Sequence, residues 1–350
     1  GRSPASIHWY AATDVGWGGR MAVDRSGDTL RSIISRWMRS HSFPLSKDLE
    51  RGTKGVRLIP FLLLLVFLVP ALQPLLRADF TCGYDNAFHL WRAVQVEHLW
   101  QQGVFLSRWA PDMALGFGFP LPLFMPTGTA YLVAALYRLG LSWPVALNAS
   151  FVLGVVLGAV FMYGLACELF GPYAGLPAAV AYAYAPFQAY DVFYRGSLSE
   201  SFAWAFPPLI IWALQRWGVR RERKFLLVGA LGFAALLVSH ISFAFLFAPL
   251  FGLWVLVAVY LAPDWHTAVR RIKRGVALGL LGLGLAAFFW LPGLVERGWV
   301  QADRLLGTWV FDYQQNFISL DHLLTWPRNA DPALINDWPE KALGALPVAL

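Results

Sequence analysis

The stretch Leu58-Ile-Pro-Phe-Leu-Leu-Leu-Leu-Val-Phe-Leu-Val-Pro-Ala-Leu-Gln-Pro-Leu-Leu76 contains no charged residue. A helix needs about 20 predominantly apolar residues to cross a hydrocarbon core, so this run reads as a membrane crossing. Val276–Leu294 reads the same way. The composition agrees. Of 350 residues, 57% are hydrophobic and 14% charged, where a soluble domain carries about 25% charged residues. Many of the 17 Trp, 26 Phe and 12 Tyr stand at the ends of apolar runs, the headgroup level that amphipathic rings prefer. The expected fold is all-α, a polytopic membrane protein.

Outward from Leu58, apolar segments fall at roughly 58–76, 122–139, 144–168, 173–190, 201–217, 225–240, 243–262 and 275–294. Lys47, Arg51, Lys54 and Arg57 precede the first, which places the N-terminus in the cytoplasm. Segment 122–139 then decides the topology. If it crosses, the basic clusters Arg216–Lys224 and Arg270–Arg274 both end outside, against the positive-inside tendency. Pro122, Pro126, Gly128 and Arg138 also suit a spanning helix poorly. A non-spanning segment leaves seven crossings in a membrane domain of residues 57–295, with a first outer loop over 77–143. A second outer loop covers Asp191–Glu200, and a tight outer turn lies near Ser239–Ser242. Residues 1–56 read as an irregular cytoplasmic leader with a short helix at 29–38. Residues 296–350 read as an outer segment leading into a further helix. The first residue is Gly and the last lies in the apolar stretch Ala342–Leu350, so more helices are expected beyond it.

The net charge of +7 does not point to nucleic acid. The densest basic clusters sit between apolar runs, as cytoplasmic loops do. Cys82 and Cys167 are too few for a disulfide framework or a cysteine metal site, and they are expected on opposite faces. No Walker loop, nucleophile elbow or HExxH motif is present.

The outer face gathers the chemistry. Asp85, His89 and Arg92 are spaced i, i+4 and i+7, so they share one face of a helix. That helix is expected to lie on the membrane with its polar stripe toward a cavity. Asp85 reads as a functional carboxylate or an N-cap, and His89 as an interfacial histidine or a metal ligand. Asp112 follows Arg108 in a Gly- and Pro-rich loop, and reads as a second carboxylate or as the partner of Arg108. Asp191, Arg195 and Glu200 lie within ten residues between apolar helices, where charges default to a functional reading. Glu200 also suits a helix N-terminus, and Arg195 beside Gly196 suits an anion. His240 reads as a site residue or as a buried histidine bonded to a carbonyl. Asp303, Arg304, Asp312 and His322 show no spacing that singles out a site.

Four motifs carry a resemblance. They are Asp85-Asn-Ala-Phe-His-Leu-Trp-Arg92, Gly103-Val-Phe-Leu-Ser-Arg-Trp-Ala-Pro-Asp112, Gly116-Phe-Gly-Phe-Pro120 and Tyr194-Arg-Gly-Ser-Leu-Ser-Glu200. Over about residues 57–300 the chain resembles the "6-pyruvoyl-tetrahydropterin synthase-related" bacterial membrane proteins. That group is similar to the GT-C superfamily of membrane glycosyltransferases. A pterin synthase would need a soluble zinc domain with a histidine cluster, and none is visible. The GT-C likeness implies a helical bundle with surface helices in the first outer loop, and a loop Asp that Asp85 matches best, with Asp79 the runner-up. It implies sugar transfer from a polyprenyl-phosphate donor at the outer face of a bacterial plasma membrane. Asp85, with His89, would be catalytic. Arg92, Asp112, Asp191, Arg195, Glu200 and His240 would bind substrate, Arg195 meeting the donor phosphate. A divalent metal is the one cofactor this chemistry admits, although Asp85-Asn-Ala departs from the Asp-x-Asp of oligosaccharyltransferases. The alternatives are a non-catalytic protein of the same fold that assists envelope-glycan export or assembly, and a transporter. A transporter would place ionisable groups near the midplane, whereas here they gather at one face.

Overall fold

A computed structural model describes residues 47–301 except 82, 172 and 221, with a few more between 304 and 320. The leader through residue 46, the short helix at 29–38, Cys82, Asp303, His322 and the apolar stretch at 342–350 lie outside the described residues. Among the described residues the regular structure is helical, apart from a bridge that pairs Ala110 with Phe119.

Helix α1 (Lys47–Leu72) runs on through a 3-10 turn, Gln73–Leu76. It takes in the last ten residues, 47–56, of the expected irregular leader. Helix α2 (Asn86–Gln101) follows. Then come α3 (Leu121–Phe124), α4 (Gly128–Arg138) and the long α5 (Trp143–Phe170). Helix α4, at 11 residues, is roughly 16 Å long, about half the thickness of a hydrocarbon core. Pro126 separates it from α3, and the Arg92 side chain donates to the Pro126 carbonyl.

The two apolar segments expected at 173–190 and 201–217 are broken. The first holds α6 (Gly175–Ala183) and α7 (Pro186–Ala189), followed by a π-helical turn, Tyr190–Arg195. The second holds α8 (Leu198–Ala203) and α9 (Phe206–Arg220). Prolines account for both breaks: Pro186 keeps its predecessor out of the helical region, and Pro207 and Pro208 suit only the first turn of a new helix. Helices α10 (Lys224–Ser239), α11 (Ile241–Tyr260), α12 (Trp265–Leu285) and α13 (Ala287–Val295) follow, with a 3-10 turn at Arg297–Trp299. The straight run expected at 275–294 is instead bent by 73° between α12 and α13.

Three helical stretches among the described residues are long and apolar enough to cross a membrane: Ile59–Leu76, Trp143–Phe170 and Ile241–Tyr260. A fourth is added if the bent α12–α13 pair counts as one. Their side chains behave accordingly. Helix α11 buries only Ala244 and Phe247, while Phe245, Leu246 and Leu256 stay exposed. A helix apolar all round belongs in lipid or a core.

Helix α5 carries a polar layer near each end. Near its start, buried Asn148 donates to the carbonyls of Arg77 and Asp79 (3.2 and 3.0 Å) and accepts from Thr81 (3.3 Å). At its far end Glu168 meets Arg216 at 3.1 Å, and Arg216 meets Glu222 at 3.0 Å. Twenty residues separate Asn148 from Glu168, about 30 Å of helix, which matches the apolar thickness of a bilayer. Between the layers α5 packs against α1 and α6 through Phe151, Val155 and Ala159. A second core forms where α9, α10 and α12 meet, around Ile210, Leu236 and Leu278.

Candidate functional site

The site grows from a backbone clasp between the loop before α2 and the π-helical turn before α8. The Asp85 amide donates to the Arg195 carbonyl (2.8 Å), and the Tyr84 amide to the Tyr194 carbonyl (3.4 Å). Two glycines permit the approach. A Cβ on Gly83 would fall 2.6 Å from Gly196 Cα. Gly196 ends the π-helical turn at φ +69°, and a Cβ there would lie 2.3 Å from Asn86 Oδ1. Asn86 is fully buried and anchors the clasp from below, donating to the Thr81 carbonyl (2.7 Å) and hydroxyl (2.6 Å). Asn86 therefore ties the clasp through Thr81 to Asn148, near the N-terminal end of α5.

Arg195 sits at the centre of three acidic side chains. Its guanidinium lies 2.6 Å from Glu200, 3.5 Å from Asp191 and 3.5 Å from Asp85. Asp191 and Arg195 are brought together by the π-helical turn, whose wider winding aligns residues four apart. The sequence expected Arg195 to meet an anion, and the partners it meets here are acidic side chains of the protein itself. Asp191 is completely buried. Burial, and then the nearby Glu200 charge, push its carboxyl up to about 8, so it holds a proton at neutral pH. Asp85 precedes α2 but makes no side-chain cap, so its carboxylate, 41% exposed, is not used in the helix start. Glu200 lies in the first turn of α8, where the helix dipole favours it.

His240 joins this group. Its Nδ1 accepts from the Phe243 amide (3.0 Å) and so caps α11. The expected bond to a carbonyl is replaced by one from an amide, because a helix start exposes donors. The remaining Nε2 faces Glu200 at 3.8 Å.

The polar stripe of α2 turns inward, and two of its members, Arg92 and Gln95, line a small pocket with Met113 and Tyr131. His89, Arg92 and Gln95 are buried, while Phe88 and Trp91 are exposed. Burial, then the Arg92 charge, lower His89 to about 3, so its ring is neutral. Burial lowers Arg92 to about 10. Its guanidinium lies 5.5 Å above the Phe88 ring and fastens α2 to Pro126. Asp112 stands elsewhere. It meets His98 Nδ1 at 2.5 Å and accepts from Gln95 (3.0 Å), which replaces the expected pairing with Arg108. That hydrogen bond from His98 holds the Asp112 carboxyl below its ordinary value. Asp112 lines an open, mostly apolar groove of about 650 Å³ with Phe88, Trp91 and Leu115. No three His, Cys, Asp or Glu side chains among the described residues are placed to hold a metal ion.

The structure thus brings together Asp85, Asp191, Arg195, Glu200 and His240, sets His89 and Arg92 in the wall beside them, and leaves Asp112 apart. Sequence reading missed three features. Gln95 and His98, spaced i and i+3 on α2, hold the Asp112 loop. Thr129 on α4 meets Ser199 on α8 at 2.9 Å. Tyr84, Tyr190 and Tyr194 form a row of rings beside the carboxylates, and the i, i+4 spacing of Tyr190 and Tyr194 was the one available signal.

No family model and no solved structure matches this chain. Among curated proteins it is similar to an uncharacterized protein of Lactococcus lactis subsp. cremoris (strain MG1363), with 21% identity over 237 residues. The similarity covers 66% of this chain and 39% of that protein, so the chain spans well under half of the relative's length.

Proposed function

We propose that this protein transfers a sugar from a polyprenyl-phosphate donor to an acceptor hydroxyl at the non-cytoplasmic face of a bacterial plasma membrane, on a GT-C-like helical bundle. The observation that carries this reading is Asp85. It makes no helix cap, stays partly open to solvent, and is fixed by Arg195 across the loop clasp at the outer end of the α5 polar layer. A lipid-linked sugar presents its anomeric carbon near that level.

In this reading Asp85 takes the proton of the acceptor hydroxyl as a general base. The freed oxygen attacks the anomeric carbon, and the bond to phosphate breaks with its electron pair leaving on the polyprenyl phosphate. A phosphate leaves without a general acid. Arg195, surrounded by carboxylates, serves as a positioning residue for Asp85. His89, neutral and buried, forms part of the wall.

The alternative is a non-catalytic membrane protein of the same fold that assists envelope-glycan assembly. The enclosure of Arg195 by the Glu200 and Asp85 carboxylates and the protonated Asp191 favours it, since a purely structural clasp needs nothing more. One experiment separates the two. A deletion strain should accumulate a polyprenyl-phosphate sugar in its lipid extract, and complementation with Asp85→Asn should leave that accumulation in place. Loss of a positioned base costs roughly 10²–10⁴-fold in rate, and Asn disturbs no cap. A normal lipid profile in the Asp85→Asn strain would remove Asp85 from catalysis and favour the structural reading.

A further inference from the structure

Four aromatic rings stand in a row beside the carboxylates. Phe187 and Tyr190 have centroids 6.3 Å apart, Tyr190 and Tyr194 stack at 5.3 Å and 26°, and Tyr194 meets Tyr84 edge to face at 5.4 Å. The Tyr84 and Tyr194 hydroxyls lie 3.4 Å apart. Tyr84 is 56% exposed and Phe187 44%, so the row has an open surface. Its origin is the same as that of the charge cluster. The π-helical turn aligns Tyr190 with Tyr194 as it aligns Asp191 with Arg195, and the clasp brings Tyr84 to Tyr194 as it brings Asp85 to Arg195. The Tyr190 hydroxyl lies within electrostatic reach of Arg195, Asp191 and Asp85.

We propose that the row Tyr84, Tyr194, Tyr190 and Phe187 is a docking platform for a pyranose ring, which it holds beside Asp85 and Arg195. The chemistry of both parties fits. One face of a pyranose presents C–H groups, which are weakly positive and pack on the electron-rich face of an aromatic ring. Its rim carries hydroxyls, which need acceptors and charged donors. Asp85 and Arg195, each next in the chain to a tyrosine of the row, supply them. An acyl chain would have no use for an ionic rim. Interfacial tyrosines would ring the perimeter of the bundle rather than gather against three carboxylates. The proposal rests on the glycosyl-transfer reading and names how that site would hold its sugar.

The test uses the full chain in lipid nanodiscs and saturation-transfer NMR, with methyl α-glucoside, α-mannoside, α-galactoside and N-acetyl-α-glucosaminide as probes and glycerol as the control. At least one glycoside should show transfer to its ring protons, and glycerol none. Tyr84→Leu with Tyr194→Leu keeps apolar bulk but removes the π faces. It should weaken the signal about fivefold, which corresponds to roughly 1 kcal/mol, while the Tyr→Phe pair keeps most of it and shows that the fold tolerates change there. A wild type that binds no glycoside, or Leu variants that bind as well as the wild type, would overturn the platform. The lipid extract of the deletion strain separates the two readings, because it reports transfer while the NMR signal reports glycoside binding alone. A protein that binds the sugar yet clears no lipid donor in cells supports the platform and removes the transfer reading.

Discussion

Replacing Asp191 by Asn should stabilise this protein, and more so as the pH rises. Asp191 is fully buried in the π-helical turn, 3.5 Å from Arg195 Nη1, the same nitrogen that Glu200 meets at 2.6 Å, while Asp85 lies 3.5 Å from Nε. Burial first, then Glu200, raise its carboxyl from 3.8 to about 8. Between those values the folded protein holds a proton that the unfolded chain has lost. The unfolded state binds fewer protons there, so stability falls with rising pH, and the fall ends above about pH 8. Each pH unit in that window costs about 1.4 kcal/mol, so three units, from pH 5 to pH 8, cost roughly 4 kcal/mol. Asn has the same shape and no such charge. Apparent melting temperatures of nanodisc-held protein, scanned from pH 5 to pH 9, should show the variant pulling ahead of the wild type as the pH rises. Parallel curves would refute the reasoning, because they would mean that Asp191 is not buried against its ionised form. A variant that loses ground at high pH would refute it more strongly, since Asp191 would then be a stabilising anion for Arg195.

Gly196→Ala should open the clasp, because the new Cβ meets Asn86 and Gly83 and sits at positive φ. A loss of roughly 1–3 kcal/mol is expected, read as a lower melting temperature and faster proteolysis in the 190–200 loop, whereas Gly218→Ala, with open space around it, should change little. A reporter fused near Glu222 should read cytoplasmic, since Arg216, Glu222 and Lys224 form the polar layer about 30 Å from Asn148; an external signal would invert the topology and move the site to the other face.

The class of this protein was legible in the chain itself. Runs such as Leu58–Leu76 bury no charge, and a bilayer accepts little else, so length and apolarity determine a membrane helix without help from neighbours. Basic clusters between runs and ionisable residues at the opposite ends are likewise local facts, and they named Asp85, Asp191, Arg195, Glu200 and His240. The sequence could not say which of these meet. Arg195 beside a glycine reads as an anion site, and only the folded clasp, built from Gly83 and Gly196 more than a hundred residues apart, fills it with three carboxylates. The breaks at Pro186 and at Pro207 had a local signal in the prolines themselves, but the 73° bend after Leu285 had none, because an apolar run reads the same whether its helix is straight or folded back. Hydropathy is a property of each residue in turn; partners, caps and ring rows depend on which backbones approach, and that is decided by packing across the whole bundle.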